Sequence, residues 1–222
     1  MLDIGEKLRA ARTHRNLSLR ELAAKAEVSA SLLSQIENGK ANPSVRSLHS
    51  IADALSLPVH YFFPNSDSDK QKIGSNSNMV VSNLTASQVR AARAAELIDE
   101  ADLGFDSGNP LTQEPVVRDD ARPTIELEGG VTWSRLTPGP EDEIEYLHIC
   151  YDVGASSGKK MSHHAGREFH FILEGELLLE LGFEHYLLKA GDSIIFDSTT
   201  PHRLLNAGKV PLRAVTVILN TK

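Results

Sequence analysis

The sequence predicts a two-domain α + β chain, all-helical over residues 1–64 and all-β over residues 116–222. Three observations carry this. Apolar residues recur at helical spacing from Ile4 to Phe63, between serines placed to cap helices. The stretch Pro64–Asn78 is polar, charged and poor in aromatics, the composition of a flexible linker. From Val116 onward short apolar or alternating runs are separated by Gly-Gly, Pro-Gly, Glu-Gly and Ala-Gly turns, the grammar of strands.

Five helices are expected in the first domain. Ile4–Arg15 places Ile4, Leu8 and Ala11 on one face. Ser18 can cap a second helix, with Glu21 three residues on as in a capping box, and Leu19, Leu22, Ala23 and Ala26 line one side. Ser29 can cap a third, whose apolar face is Leu32, Leu33 and Ile36 and whose end is Asn38-Gly39. Only Glu27 and Val28 separate the second helix from this cap, so the chain turns a sharp corner, and Ala23 and Ala24 let the two helices cross closely. That is helix-turn-helix geometry. Helices over Ser44–Leu55 and Val59–Phe63 follow, with Leu48, Ile51, Leu55, Tyr61 and Phe62 as core.

Charge separates the two domains. The chain carries a net −7, but residues 1–64 hold 8 Lys/Arg against 6 Asp/Glu, a net of +2, and the remainder is net −9. Phosphate attraction belongs to the helical part. A lone +2 module binds DNA weakly, so a homodimer on two half-sites is expected. The single cysteine, Cys150, excludes a disulfide framework and a Cys-rich zinc site and fits a reducing compartment. No leader-like or membrane-length apolar run is present, so a soluble, cytoplasmic protein is expected.

The segment Leu33–Ser44, LSQIENGKANPS, resembles the phage-repressor/Cro-like (XRE) family, a likeness that spans about residues 4 to 63. The resemblance implies a lambda-repressor-like domain that binds a double-stranded DNA operator. It implies an ion pair between Arg12 and Glu37. It also implies that Ala30, Ser31, Ser34 and Gln35 face the groove, where Gln can bond adenine, Ser a base or phosphate, and Ala a thymine methyl. Ser18, Leu19 and Arg20, and Ser29 at the head of the recognition helix, would face DNA on one side. Lys40, Asn42 and Arg46 would hold the backbone on the other.

Between the domains, Thr85–Asp102 is rich in Ala, Arg and Glu and should form a helix, either a spacer or a packing element, before a loop to Pro115. Strands are expected at Pro123–Glu128, Val131–Thr137, Ile144–Val153, Glu168–Leu173, Glu176–Leu181, His185–Leu188, Ser193–Asp197 and Arg213–Asn220, forming a β-sandwich or barrel.

Ser162–Leu179 and Gly191–Asn206 resemble the two motifs of the cupin jelly roll, over about residues 120 to 220. By that resemblance His164, Glu168 and His202 match metal ligands, while Ser162 stands at the first histidine position. His163 should point the other way. Two imidazoles and one carboxylate suit one divalent metal, with Fe, Zn, Mn and Ni all compatible. The alternative is a polar pocket of hydrogen-bonded histidines. Strand parity places His170 inward with Glu168, and is read as placing Arg135, Tyr146 and His148 inward too. With Ser162 these would bind a small polar effector such as a carboxylate. Cys150 reads as a buried small residue.

The reading is a DNA-binding transcriptional regulator whose barrel senses a small metabolite. The alternative is an enzyme: the two-part layout also resembles that of hydroxypropylphosphonate epoxidases, which use an iron facial triad.

Overall fold

The computed structural model describes residues 4–64, 116–141 and 143–220. The expected helix over 85–102 lies outside these residues. Four helices form the first part: α1 (Ile4–His14), α2 (Leu19–Lys25), α3 (Ala30–Glu37) and α4 (Val45–Ala54). The expected fifth helix is a single 3-10 turn, Val59–Phe62, opened by Pro58. Four residues form too short a segment for α-helical hydrogen bonding to propagate.

Local chemistry sets each boundary. Ser18 Oγ accepts from the Glu21 N–H at 3.2 Å while Glu21 accepts from the Ser18 N–H at 2.8 Å, a complete capping box. Ser29 caps α3 through the Leu32 N–H, and Ser44 caps α4 through the Ser47 N–H. Gly39 ends α3 at φ +64°, a conformation costly to a side chain. Gly5 lets α1 cross against the end of α3, because a Cβ there would run into the Ile36 carbonyl oxygen. Leu8, Leu22, Leu33, Ile36, Leu48, Ile51, Leu55 and Phe62 are almost wholly buried between these helices. Lys7 Nζ donates to the Tyr61 and Phe63 carbonyls, tying α1 to the end of the helical part.

The second part is antiparallel. Strands β1 (Thr124–Leu127), β2 (Val131–Arg135), β3 (Ile144–Tyr151), β4 (Arg167–Glu174), β7 (Ser193–Asp197) and β9 (Leu212–Leu219) form one sheet, in the order β1-β2-β3-β9-β4-β7. Strands β5 (Glu176–Leu181), β6 (Glu184–Lys189) and β8 (His202–Asn206) form the other, in the order β6-β5-β8. Trp133, Leu147, Ile149, Tyr151, Ile172, Leu179, Leu204 and Ile218 fill the space between them. This is a jelly roll with a packed interior. Strand β8 was not among the expected strands. It pairs with β5 from Leu177↔Asn206 to Leu181↔His202, and it carries a candidate ligand.

The helical part lies directly on the rim of the barrel. The Arg46 N–H donates to the Ser157 carbonyl at 3.1 Å, and the Glu128 N–H donates to the Pro43 carbonyl at 2.9 Å. Among the described residues no helix is long and apolar enough to cross a membrane.

Candidate functional site

On the helical part, Ser18, Arg20, Ser29, Ser31, Gln35, Lys40 and Asn42 are exposed, and Leu19, Ala30, Ser34 and Arg46 are partly buried. The α3 positions Ala30, Ser31, Ser34 and Gln35 share the helix that holds Leu33, Ile36 and Glu37 in the core. Base-edge chemistry on the outer side of a packed helix is what groove reading needs. Ser18 and Ser29 spend their hydroxyls as caps, which aims the N-termini of α2 and α3. Arg46 lies at the seam with the barrel, its Cβ 3.3 Å from where a Cβ on Gly158 would stand. Arg12 and Glu37 meet through two hydrogen bonds, at 2.6 and 2.9 Å.

Inside the barrel, β4 turns Glu168 and His170 inward, β8 opens on His202, and the segment before β4 brings in His164. One ligand atom from each of His164, Glu168 and His202 falls within 4.8 Å of the others. Glu168 is the hub. Its Oε1 lies 2.9 Å from His164 Nε2 and 3.1 Å from His202 Nε2, and its Oε2 lies 3.0 Å from His170 Nε2.

The far nitrogens decide the tautomers. His164 Nδ1 meets the Ala165 carbonyl at 3.1 Å and His202 Nδ1 meets the Thr200 carbonyl at 2.9 Å. A carbonyl only accepts, so each Nδ1 carries a hydrogen, and when either ring is neutral its lone pair sits on Nε2, the nitrogen beside Glu168. Glu168 Oε1 is buried with two imidazole nitrogens close by and no well-aligned hydrogen bond to either. Three lone-pair donors converging on one point fit a divalent cation. His170 is set differently: Nδ1 contacts Thr216 Oγ1 at 2.8 Å and Nε2 contacts Glu168, so it orients the carboxylate.

Burial alone would raise the Glu168 carboxyl, but together its contacts with His164, His170 and His202 hold it well below the usual range. Burial pulls His164 down, and its contacts with Glu168 and the Ala165 carbonyl outweigh that and leave it raised. The site is an ionised carboxylate ringed by imidazoles.

The cavity above this cluster has a volume of about 20 Å³, and its wall includes Trp133, Tyr151 and Ser162. It also includes Val45 and His49, which come from α4 of the helical part. The His49 ring stacks on His164, with centroids 4.4 Å apart and planes within 5°, and meets Trp133 edge-on at 5.7 Å. Burial, aided by His164, pushes the His49 pKa down to about 3, so this ring is neutral. His49 did not figure in the sequence reading. Its one signal is the four-residue spacing from Val45, which forms a second stripe beside Leu48 and Ile51.

The other expected ligand residues divide. His170 and Ser162 face the cavity, and His163 is exposed. Arg135 points inward and is buried, but its side chain lies near the Thr137 carbonyl, outside the cavity wall. Tyr146 and His148 are corrected: β3 turns Glu145, Leu147, Ile149 and Tyr151 inward and leaves these two on the outer face. Cys150 shares that outer face and is only half-buried.

Comparison with known proteins agrees with this anatomy. A helix-turn-helix family model (HTH_3) matches residues 8–62, and a cupin-domain model (Cupin_2) matches residues 147–218. An uncharacterized protein of Methanocaldococcus jannaschii is 41% identical over 96 residues, 43% of this chain and 77% of that one. The HTH-type transcriptional regulator PuuR of Escherichia coli is 23% identical over 204 residues, 91% of this chain and 86% of that one. The crystal structure of an HTH_3 family transcriptional regulator from Vibrio cholerae superposes with a TM-score of 0.58 at 19% identity, covering 99% of this chain and 96% of that one, a likeness of fold. The chain belongs to the helix-turn-helix transcriptional regulators that carry a C-terminal cupin domain.

Proposed function

We propose that the barrel is the sensing half of this regulator. His164, Glu168 and His202 hold one divalent metal (Fe, Zn, Mn or Ni), and a small polar effector binds beside it. Ser162 supplies no imidazole, which leaves coordination positions open. A cation there would neutralise Glu168 and polarise an effector oxygen. Occupancy then shifts the geometry of two DNA-binding heads in a homodimer, and by linkage operator binding shifts effector affinity by the same factor. The supporting observation is the buried Glu168 Oε1 with no well-aligned hydrogen bond and the Nε2 atoms of His164 and His202 at 2.9 and 3.1 Å.

The test is titration of the full-length protein with Zn(II) or, anaerobically, Fe(II), beside His164→Ala. One ion per chain is expected in the parent and weak or no uptake in the variant. With a duplex selected from random sequence, metal should change DNA affinity by a factor of about 5 to 150, the usual range of coupling between sites. Equal metal uptake by both proteins would refute the ligand assignment.

The same donor composition supports a second reading, a non-haem iron oxygenase. Substrate-dependent oxygen uptake by the Fe(II)-loaded protein would favour it.

A further inference from the structure

The cavity of about 20 Å³ is closed on one side by a helix of the DNA-binding domain. That is well below the roughly 300 Å³ at which organic-ligand pockets begin, so the cavity has room for an ion with a few waters and little for an organic molecule. His49 and Val45 take up the remaining space, with the His49 ring face to face with a ligand imidazole. Two main-chain hydrogen bonds, Arg46 to Ser157 and Glu128 to Pro43, flank this contact and hold the start of α4 to the rim.

We infer that α4 is the closure of the effector site, with His49 as its plug. With α4 seated the barrel has room for a metal ion and its waters, and an organic ligand reaches the metal only by lifting α4. The other face of α4 carries Leu48, Ile51 and Ala52, which are buried in the helical core. The helix therefore cannot move alone, and the recognition helix α3 moves with it. Metal and effector so act in opposite senses: the ion is compatible with the docked head, and a small carboxylate competes with it. This deepens the function proposed above and rests on it, but the closure itself can be tested without an effector.

Arg46→Cys and Gly158→Cys, in full-length protein also carrying Cys150→Ser, place two Cβ positions 3.3 Å apart, within a few tenths of an ångström of disulfide spacing. Oxidation should tie α4 to the rim. Trp133, the one tryptophan in the chain, lines the cavity beside His49 and reports its opening. Acrylamide quenching of Trp133 should be several-fold weaker in the oxidised form than in the reduced form. Removal of bound Zn(II) by dipicolinate, an organic carboxylate probe, should be about tenfold or more slower, and dithiothreitol should restore both. In the untied chain, His49→Ala should raise quenching.

Failure of the disulfide to form in folded protein, or equal quenching in both forms, overturns the closure. Absence of Zn(II) binding with the quenching difference intact removes the metal from the proposed function and leaves the closure standing.

Discussion

Arg12 grips Glu37 at two points, with Nε 2.6 Å from one carboxylate oxygen and Nη2 2.9 Å from the other, and Nη1 donates to the Leu17 carbonyl at 2.8 Å. The pair joins α1 to the end of the recognition helix, and the Glu37 side chain is only 2% exposed. Breaking it leaves a buried carboxylate with only the exposed Arg9, 3.7 Å away, as counter-charge. Arg12→Ala should therefore cost about 3–5 kcal/mol in urea unfolding, and the joint replacement Arg12→Leu with Glu37→Met should cost much less. A loss below about 1 kcal/mol in the single variant would mean that the pair behaves as a surface bridge.

Gln35 and Lys40 should behave differently on DNA. Gln35 is exposed on α3 and suited to a base edge, so Gln35→Ala should lose about 1–3 kcal/mol on the selected duplex and relax preference at one position. Lys40 is exposed just past the end of α3, where a backbone contact is expected, so Lys40→Ala should weaken binding on every sequence and reduce the salt slope by about one. Anisotropy titrations at several salt concentrations separate the two. Identical patterns would contradict the assignment.

His170 donates no electron pair to the three-residue cluster, yet it orients Glu168. His170→Ala should lower Zn(II) affinity by about 10–100-fold while uptake still saturates at the parent's stoichiometry. An affinity equal to that of Glu168→Ala would make His170 a ligand in its own right.

Glu145 should make stability fall as pH rises through neutrality. Burial pushes the Glu145 carboxyl up to about 7, against the pull of His164, the Val59 N–H and Asn220. A raised pKa means that the folded state keeps a proton the unfolded chain has already released. This stability is full below the unfolded carboxylate value and is lost as pH climbs through about 7. His164, also raised, acts in the same direction above its ordinary value. His49, held down to about 3, has the opposite sign. Its burial as a neutral ring costs stability below the ordinary histidine value, a cost relieved as pH rises through it. Glu168 has the opposite sign: its depressed pKa stabilises above the ordinary carboxylate value, and that contribution is lost only on strong acidification. Urea unfolding of the metal-free protein from about pH 5 to pH 8 should show this decline against a Glu145→Gln profile, in which the opposing His49 acts equally. Glu145→Gln should flatten it, by a difference on the order of 3 kcal/mol at the alkaline end. Parallel profiles for parent and variant would exclude Glu145 as the cause.

The helical part was legible because its signals are local. Ser18 with Glu21, Ser29 with Leu32, and Gly39 each act within four residues, and the structure shows each one. His164, Glu168 and His202 were legible as a set through the motif they resemble, and they meet around one carboxylate oxygen. Strand phase on β3 was not legible. Ile144, Tyr146, His148 and Cys150 alternate with Glu145, Leu147, Ile149 and Tyr151, and both phases carry apolar side chains. Pairing with β9 decides between them: it sets Leu147 beside the buried Thr216 and Tyr146 beside Val217, which is only partly buried. His49 was illegible for a related reason. A polar residue beside the core stripe of a helix reads as surface, and its partner lies more than a hundred residues away.

Helix α4 has two committed faces, and this bears on how such proteins exchange parts. A head grafted from another regulator would satisfy its own core and still leave the barrel unstoppered unless it brought a valine and an imidazole to the positions of Val45 and His49. Shuffling of heads and barrels is therefore restricted to pairs that have been fitted at this seam. A chimera that ignored it would fold as two sound halves and transmit nothing between them.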